Sequence, residues 1–133
     1  MKVYAPADFR CYRISPGDTV RLALVHAPTP DHDVTVVFEL WDVGGAQPFN
    51  SHPRSTETFF FLAGEGEAYC DDEKRPVAAG DFLVLEPGTN HRIVNTGTGP
   101  MAAITTMSPD DGFADLILRG EPAELTPADL EVF

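Results

Sequence analysis

The chain has 133 residues and is 43% hydrophobic, with 9 Lys and Arg against 21 Asp and Glu for a formal charge of −12. That length suits one domain with a single core, and the charge repels phosphate backbones and anionic lipid, which disfavours nucleic acid and membrane surfaces as partners. The longest apolar run, Phe59 to Ala63, is strand-sized, far short of the roughly 20 residues of a membrane span.

The opening Met1-Lys2-Val3-Tyr4-Ala5-Pro6 lacks the basic start and apolar stretch of a secretory signal, so a cytoplasmic location is expected. Cys11 and Cys70 have neither metal-ligand nor disulfide-framework spacing and read as reduced, buried thiols. From there the chain alternates turns and short apolar runs. Pro16-Gly17-Asp18, Pro28-Thr29-Pro30-Asp31, Gly44-Gly45, Gly64-Glu65-Gly66, Asp71-Asp72-Glu73, Ala79-Gly80-Asp81, Pro87-Gly88 and Thr96 to Pro100 are turn signals. Between them, strands are expected at Arg21 to His26, Val34 to Val43, Thr58 to Ala63, Glu67 to Cys70, Phe82 to Glu86, His91 to Asn95 and Ala102 to Met107. Many short strands parted by Gly and Pro turns indicate an antiparallel sandwich or barrel, not βαβ units.

The run Thr58-Phe59-Phe60-Phe61-Leu62 is apolar on both strand faces, so its outer side needs a cover; a homodimer is the expectation. After residue 107 the character changes. Ser108-Pro109-Asp110-Asp111 reads as a helix N-cap, a first-turn proline and first-turn acids, with Phe113, Leu116 and Ile117 at helical spacing and Gly120 as the stop. Thr126-Pro127-Ala128-Asp129 repeats that start before Leu130, Val132 and Phe133, and both stripes are expected to pack on the barrel. One domain over 1–133 results, with a barrel core at about 20–107 and a helical tail at 108–133.

Two stretches carry the chemistry. Asn50 and His52 are two apart and share a face if they lie on one strand, Glu57 opens the next strand, and His91 follows the Pro87-Gly88 turn. Two imidazoles and a carboxylate converging inside a barrel suit iron, manganese, nickel, cobalt or zinc, with positions left for other ligands. If Glu57 faces in, Phe59 and Phe61 do too; if His91 faces in, so do Ile93 and Asn95. Arg54 and Gln47 lie on the approach and could orient an anionic or carbonyl-bearing substrate, with an ion-pair role the alternative for Arg54. Tyr69 and Cys70 are strand residues whose phenol or thiol either packs in the core or lines the barrel; His32 reads as a solvated loop residue and His26 as structural.

The spacing Gly44, five residues, Asn50, one, His52, four, Glu57, six, Gly64, then Gly80, five, Glu86, Pro87, Gly88, two, His91, three, Asn95 resembles the paired motifs of the cupin superfamily, G-x5-H-x-H-x(3,4)-E-x6-G and G-x5-P-x-G-x2-H-x3-N. The resemblance covers residues 44 to 95. It implies an all-β double-stranded β-helix, or jelly-roll, barrel with short C-terminal helices and a divalent transition metal (Fe, Mn, Ni or Zn) held by His52, Glu57 and His91. Gly64, Gly80, Gly88 and Asn95 would be structural. Asn50 stands where the first motif has its leading histidine, which makes it a weaker fourth ligand, and Glu86 stands where the second motif has proline. The implied activity is a metal-dependent reaction on a small organic molecule, of dioxygenase type, with Glu57 either a ligand or a base. Metal-assisted isomerase or lyase chemistry, and non-catalytic binding or sensing of a small molecule, are the alternatives.

Overall fold

Alternation sorts the chain into an inner and an outer face, and the structure, a computed structural model describing residues 1–133, builds its core from the inner one. Ten strands run in order: β1 (Arg10–Arg13), β2 (Val20–His26), β3 (Thr35–Trp41), β4 (Thr56–Ala63), β5 (Glu65–Cys70), β6 (Glu73–Ala78), β7 (Phe82–Leu85), β8 (His91–Asn95), β9 (Met101–Ser108) and β10 (Glu121–Pro122), with one α-helix, α1 (Phe113–Leu118), between the last two and short 3-10 helices at Pro6–Asp8 and, where the second tail helix is expected, Ala128–Val132. They form two antiparallel sheets, ordered β10-β1-β2-β3-β9-β4-β7 and β6-β5-β8. Every strand expected from the sequence is present. Three more join them, of which β6 is the instructive one: Glu73-Lys74-Arg75-Pro76 has no apolar alternation, yet six residues pair with β5 from Cys70↔Glu73 to Glu65↔Ala78 across the Asp71-Asp72 turn. The hairpin partner, not the local composition, makes the strand.

Inward residues stack in rows across up to four neighbouring strands. Thr35, Met107, Glu57 and Leu85 form one row, Val37, Thr105, Phe59 and Leu83 the next, then Glu39, Ala103 and Phe61, and last Trp41 with Met101. Phe59, Phe61, Ile93 and Asn95 are buried, as parity requires. With Leu22, Leu24, Ala68 and Val77 they belong to the main apolar cluster, save Asn95, whose amide nitrogen donates to the carbonyls of Asp42 (3.0 Å) and Gly99 (2.9 Å) and whose oxygen accepts from Gly97 N–H. Gly64 is glycine for two reasons: its φ is +82°, and a Cβ there would lie 2.7 Å from the Pro100 carbonyl oxygen.

The outer face of β1–β2–β3–β9 is covered by the chain itself. Cys11, Ala23, Phe38, Leu40 and Ala102 form a second buried cluster under Phe9, Leu125, Leu130 and Val132. The tail is pinned by Arg21 on β2, whose Nη1 and Nη2 reach Asp129 Oδ2 and Oδ1 at 2.6 and 2.9 Å while Nη1 also donates to Glu124 O. Phe60, on the outer side of β4, is different: it stays 44% exposed beside Phe82, ring centroids 6.5 Å apart.

Two local expectations are corrected. Ser108 does not cap a helix; it closes β9 by pairing with Thr56, and the helix starts later, at Phe113, with Gly112 at φ +84° before it. Gly112 is the N-cap, and the carboxylate of Asp110 two residues earlier accepts from Gly112 N–H (3.0 Å) and Ala114 N–H (2.8 Å). Ladder pairing prevails because it continues a strand already anchored on both sides. Nor do Asn50 and His52 sit in a regular strand. Residues 45–52 run along β8 as an irregular one, with bridges Ala46↔Val94 and Asn50↔His91 whose sums differ by one, so one extra residue bulges between them.

Asp129 is held down to a pKa of about 2, first by hydrogen bonding to Arg21. A depressed carboxylate stabilises the fold above its ordinary value near 3.8 and loses that contribution as pH falls toward 2. Asp129→Asn should therefore lower the melting temperature at pH 7 by about 3–6 °C, with the gap from wild type closing in thermal melts between pH 4 and 2.

Candidate metal centre

Glu57 reaches the interior because β4 alternates, His91 because it is the first inward residue of β8, and His52 because its segment is tied to β8. Asn50 and His91 exchange N–H···O bonds of 2.9 Å each way, and His52 O accepts from Gly88 N–H at 2.8 Å. The result brings one ligand-type atom from each of His52, Glu57 and His91 within 4.8 Å of one another. His91 Nε2 lies 2.8 Å and His52 Nε2 3.5 Å from Glu57 Oε2. All three atoms are buried without a hydrogen-bond partner.

The chemistry of these atoms explains why. His91 Nδ1 sits 3.1 Å from the Thr89 carbonyl oxygen, an acceptor only, so Nδ1 carries the hydrogen and Nε2 presents a bare lone pair. Burial keeps His52 neutral by lowering its pKa, against the pull of the Glu57 charge. Two imidazole nitrogens and a carboxylate oxygen thus point at one place. Such an arrangement fits a divalent cation.

Other residues take their places around it. Phe113 of α1 packs edge-on against the His52 ring, centroids 5.6 Å apart, so the tail helps wall the site. Arg54 pairs with Asp111 (Nε to Oδ1 3.1 Å, with a second bond from its N–H), which holds the Asp111 carboxyl below its usual range; it is an ion-pair partner. The Asn50 amide nitrogen donates to Pro48 O (2.9 Å) and His91 O (3.3 Å), leaving Oδ1 as its one atom able to face a cation. Tyr69 points outward to Glu67, whereas Cys70 is inward, directly opposite His91 on β5. A hollow of about 240 Å³ opens where the edge strands β6 and β7 of the two sheets face each other, lined by Cys70, Ala68, Arg75, Leu83 and Leu85. Cys70 and Leu85 are the cross-strand neighbours of His91 and Glu57. His26 and His32 face each other elsewhere, centroids 6.4 Å apart.

Sequence reading missed Glu39. It is wholly buried on β3, two rows deeper than Glu57, and its Oε2 accepts from Gln47 Nε2 at 2.9 Å while Gln47 Oε1 accepts from Ile93 N–H at 3.2 Å. Its Oε1 has no partner. Burial, and then repulsion from Glu57, raise its pKa to about 8. The signal was present: parity from Val37 and Trp41 puts residue 39 inside, an acid amid apolar neighbours.

A family model described as "Cupin domain" matches residues 37–107. An uncharacterized protein of Methanocaldococcus jannaschii is 33% identical over 67 residues, which are 50% of this chain and 54% of that one, so the match spans about half the relative's length. Among solved structures, an uncharacterized conserved protein with a double-stranded β-helix domain from Klebsiella pneumoniae superposes with TM-score 0.68 at 22% identity, covering 82% of this chain and 90% of that one. A predicted oxalate decarboxylase from Thermotoga maritima gives TM-score 0.67 at 20% identity, covering 80% and 97%. At these identities the two structures speak to the fold.

An acid whose folded-state pKa is raised weakens the fold progressively as pH climbs from its unfolded value of about 4.5 to about 8. At pH 7 that difference amounts to roughly 3 kcal/mol at 1.36 kcal/mol per unit. Glu39→Gln, which preserves shape and removes the titration, should stabilise the metal-free protein by about that much in urea denaturation at pH 7 and by almost nothing at pH 4.5. A variant less stable than wild type at pH 7 would show the carboxyl to be ionised and satisfied.

Proposed function

The chain belongs to the cupin family, and from that premise we propose that it is a metal-dependent enzyme acting on a small organic molecule, with a divalent transition metal held by His52, Glu57 and His91. The observation that carries the reading is the convergence of three unpartnered buried acceptors on one point, which leaves lone pairs facing one another unless a cation lies between them. Iron, manganese, nickel and zinc all accept this donor set. When bound, such an ion supplies Lewis acidity and, if redox-active, oxygen chemistry; three protein ligands leave positions for substrate and dioxygen, which favours dioxygenase-type oxidation. Asn50 Oδ1 is offered as a weak fourth corner.

The chain's own residues do the rest. The hollow between β6 and β7 is the proposed route in, and its volume of about 240 Å³ suits a substrate of few atoms. The neighbour described as a predicted oxalate decarboxylase is consistent with a small polar substrate. Phe59, Leu85 and Phe113 exclude water around the ligands, and Glu57 either remains a ligand or accepts a proton from bound substrate. A second reading, non-catalytic capture of a small ligand, is favoured by one observation: the charged groups at the hollow, Glu73 and Arg75, are paired with each other at 3.2 Å, so no separate acid or base serves it. The outer side of β4, where Phe60 and Phe82 stay exposed, is where a second copy is proposed to sit.

Elemental analysis of protein purified without chelator or an affinity column should find a transition metal near one per chain. Less than about a tenth, not restored by adding iron, manganese, nickel or zinc, defeats the proposal. His91→Ala should abolish retention, since a two-ligand remnant competes poorly with water, and Asn50→His should tighten it if Oδ1 faces the ion. Metal-loaded protein that consumes no oxygen with any small acid or carbonyl compound, yet binds one, supports capture instead. Light scattering should give twice 14.5 kDa; the single-chain mass removes the second copy.

A further inference from the structure

No lysine or arginine is among the buried residues, yet three carboxylates are, Asp110, Glu57 and Glu39; Asp110 is satisfied by the Thr35 hydroxyl and by the N–H groups of Gly112 and Ala114. Glu57 has imidazoles beside it. Glu39 does not: the groups that face it are Val37 and Trp41 on its own strand, Leu22 opposite on β2, Ala103 and Thr105 on β9, and the amide of Gln47. Among titratable groups only Glu57 contributes to its environment, and with the same sign of charge. It lies outside the trio of ligand atoms, separated from the Glu57 row by the row of Val37, Thr105 and Phe59.

We propose that Glu39 is the internal counter-charge of the metal centre, a positioning residue that is a neutral acid in the metal-free protein and gives up its proton when a divalent cation enters. This rests on the metal-binding reading above. The charge count motivates it. A dication with ionised Glu57 and two neutral imidazoles leaves one net positive charge in an apolar barrel, and an ionised Glu39 cancels it. In the low dielectric of a water-free core that compensation acts over several ångströms. The proton balance is simple: the O–H bond on Glu39 breaks, the electron pair stays on the carboxylate, and the proton leaves to solvent. Geometry says which oxygen carries it. Oε2 accepts from Gln47 Nε2, so the hydrogen sits on Oε1, the atom without a partner. Gln47 braces the segment bearing His52 against β8 through Ile93 N–H in either protonation state of Glu39.

The test counts protons. Chelator-stripped wild type and Glu39→Gln are titrated with Zn2+ in weakly buffered solution at pH 7, with phenol red reporting release. With a pKa of about 8, Glu39 is roughly nine-tenths protonated there. Wild type should release about one proton per Zn2+ more than Glu39→Gln, whose amide imitates the neutral acid. Equal counts with stoichiometric binding by both proteins overturn the inference and leave the metal centre standing; absence of Zn2+ binding by wild type overturns both. Should Glu39→Gln fail to fold, infrared difference spectroscopy of wild type decides: a carboxylic-acid C=O band lost on adding Zn2+ supports the inference, and a band unchanged by bound Zn2+ overturns it.

Discussion

Acceptor atoms facing one another inside a barrel stripped of cationic side chains are the constraint from which the rest of this structure follows. His91 Nε2 and Glu57 Oε2, 2.8 Å apart, would each satisfy a proton or a metal, and the Thr89 carbonyl takes the one hydrogen that the His91 ring carries. Nothing in the protein neutralises what remains. A fold selected for stability alone would fill those positions with Leu or Phe, as it does one row deeper.

Holding that arrangement requires elements remote from one another in sequence. Glu57 stands on the larger sheet and His91 on the smaller, so their distance measures how the two sheets meet. His52 belongs to neither; its place depends on Asn50 exchanging backbone bonds with His91, on Gly88 binding its carbonyl, and on Phe113 packing its ring from the tail. The tail in turn is fastened at Asp129 by Arg21. The segment predicted to be mere packing is thus a wall of the site, reached through Arg54 and Asp111 as well.

How much of this could be read from the chain depends on the range of each interaction. Strand faces are local: parity alone placed Phe59, Phe61, Ile93 and Asn95 inside, and spacing placed His52, Glu57 and His91 near a common point. Edge strands are not local. β6 is polar and contains Pro76, and it is a strand because β5 offers it a ladder. The helix starts later than expected because Ser108 has a partner on β4 that no window around it reveals, which leaves the N-cap to Gly112. Glu39 went unremarked for a different reason: its alternation was visible, but an acid at an inward position reads as an error in the pattern unless one asks what else the interior must balance.

That question joins stability to function here. Each unpartnered buried atom raises the free energy of the metal-free fold, by about 1–3 kcal/mol for a neutral group, and Glu39 adds its own penalty as pH rises. A ligand that satisfies those atoms in the folded state alone recovers the same free energy on binding. The interior is therefore under-satisfied in proportion to how strongly it should hold a cation, and the same residues that would be counted as defects in a purely structural barrel are the ones that define its chemistry.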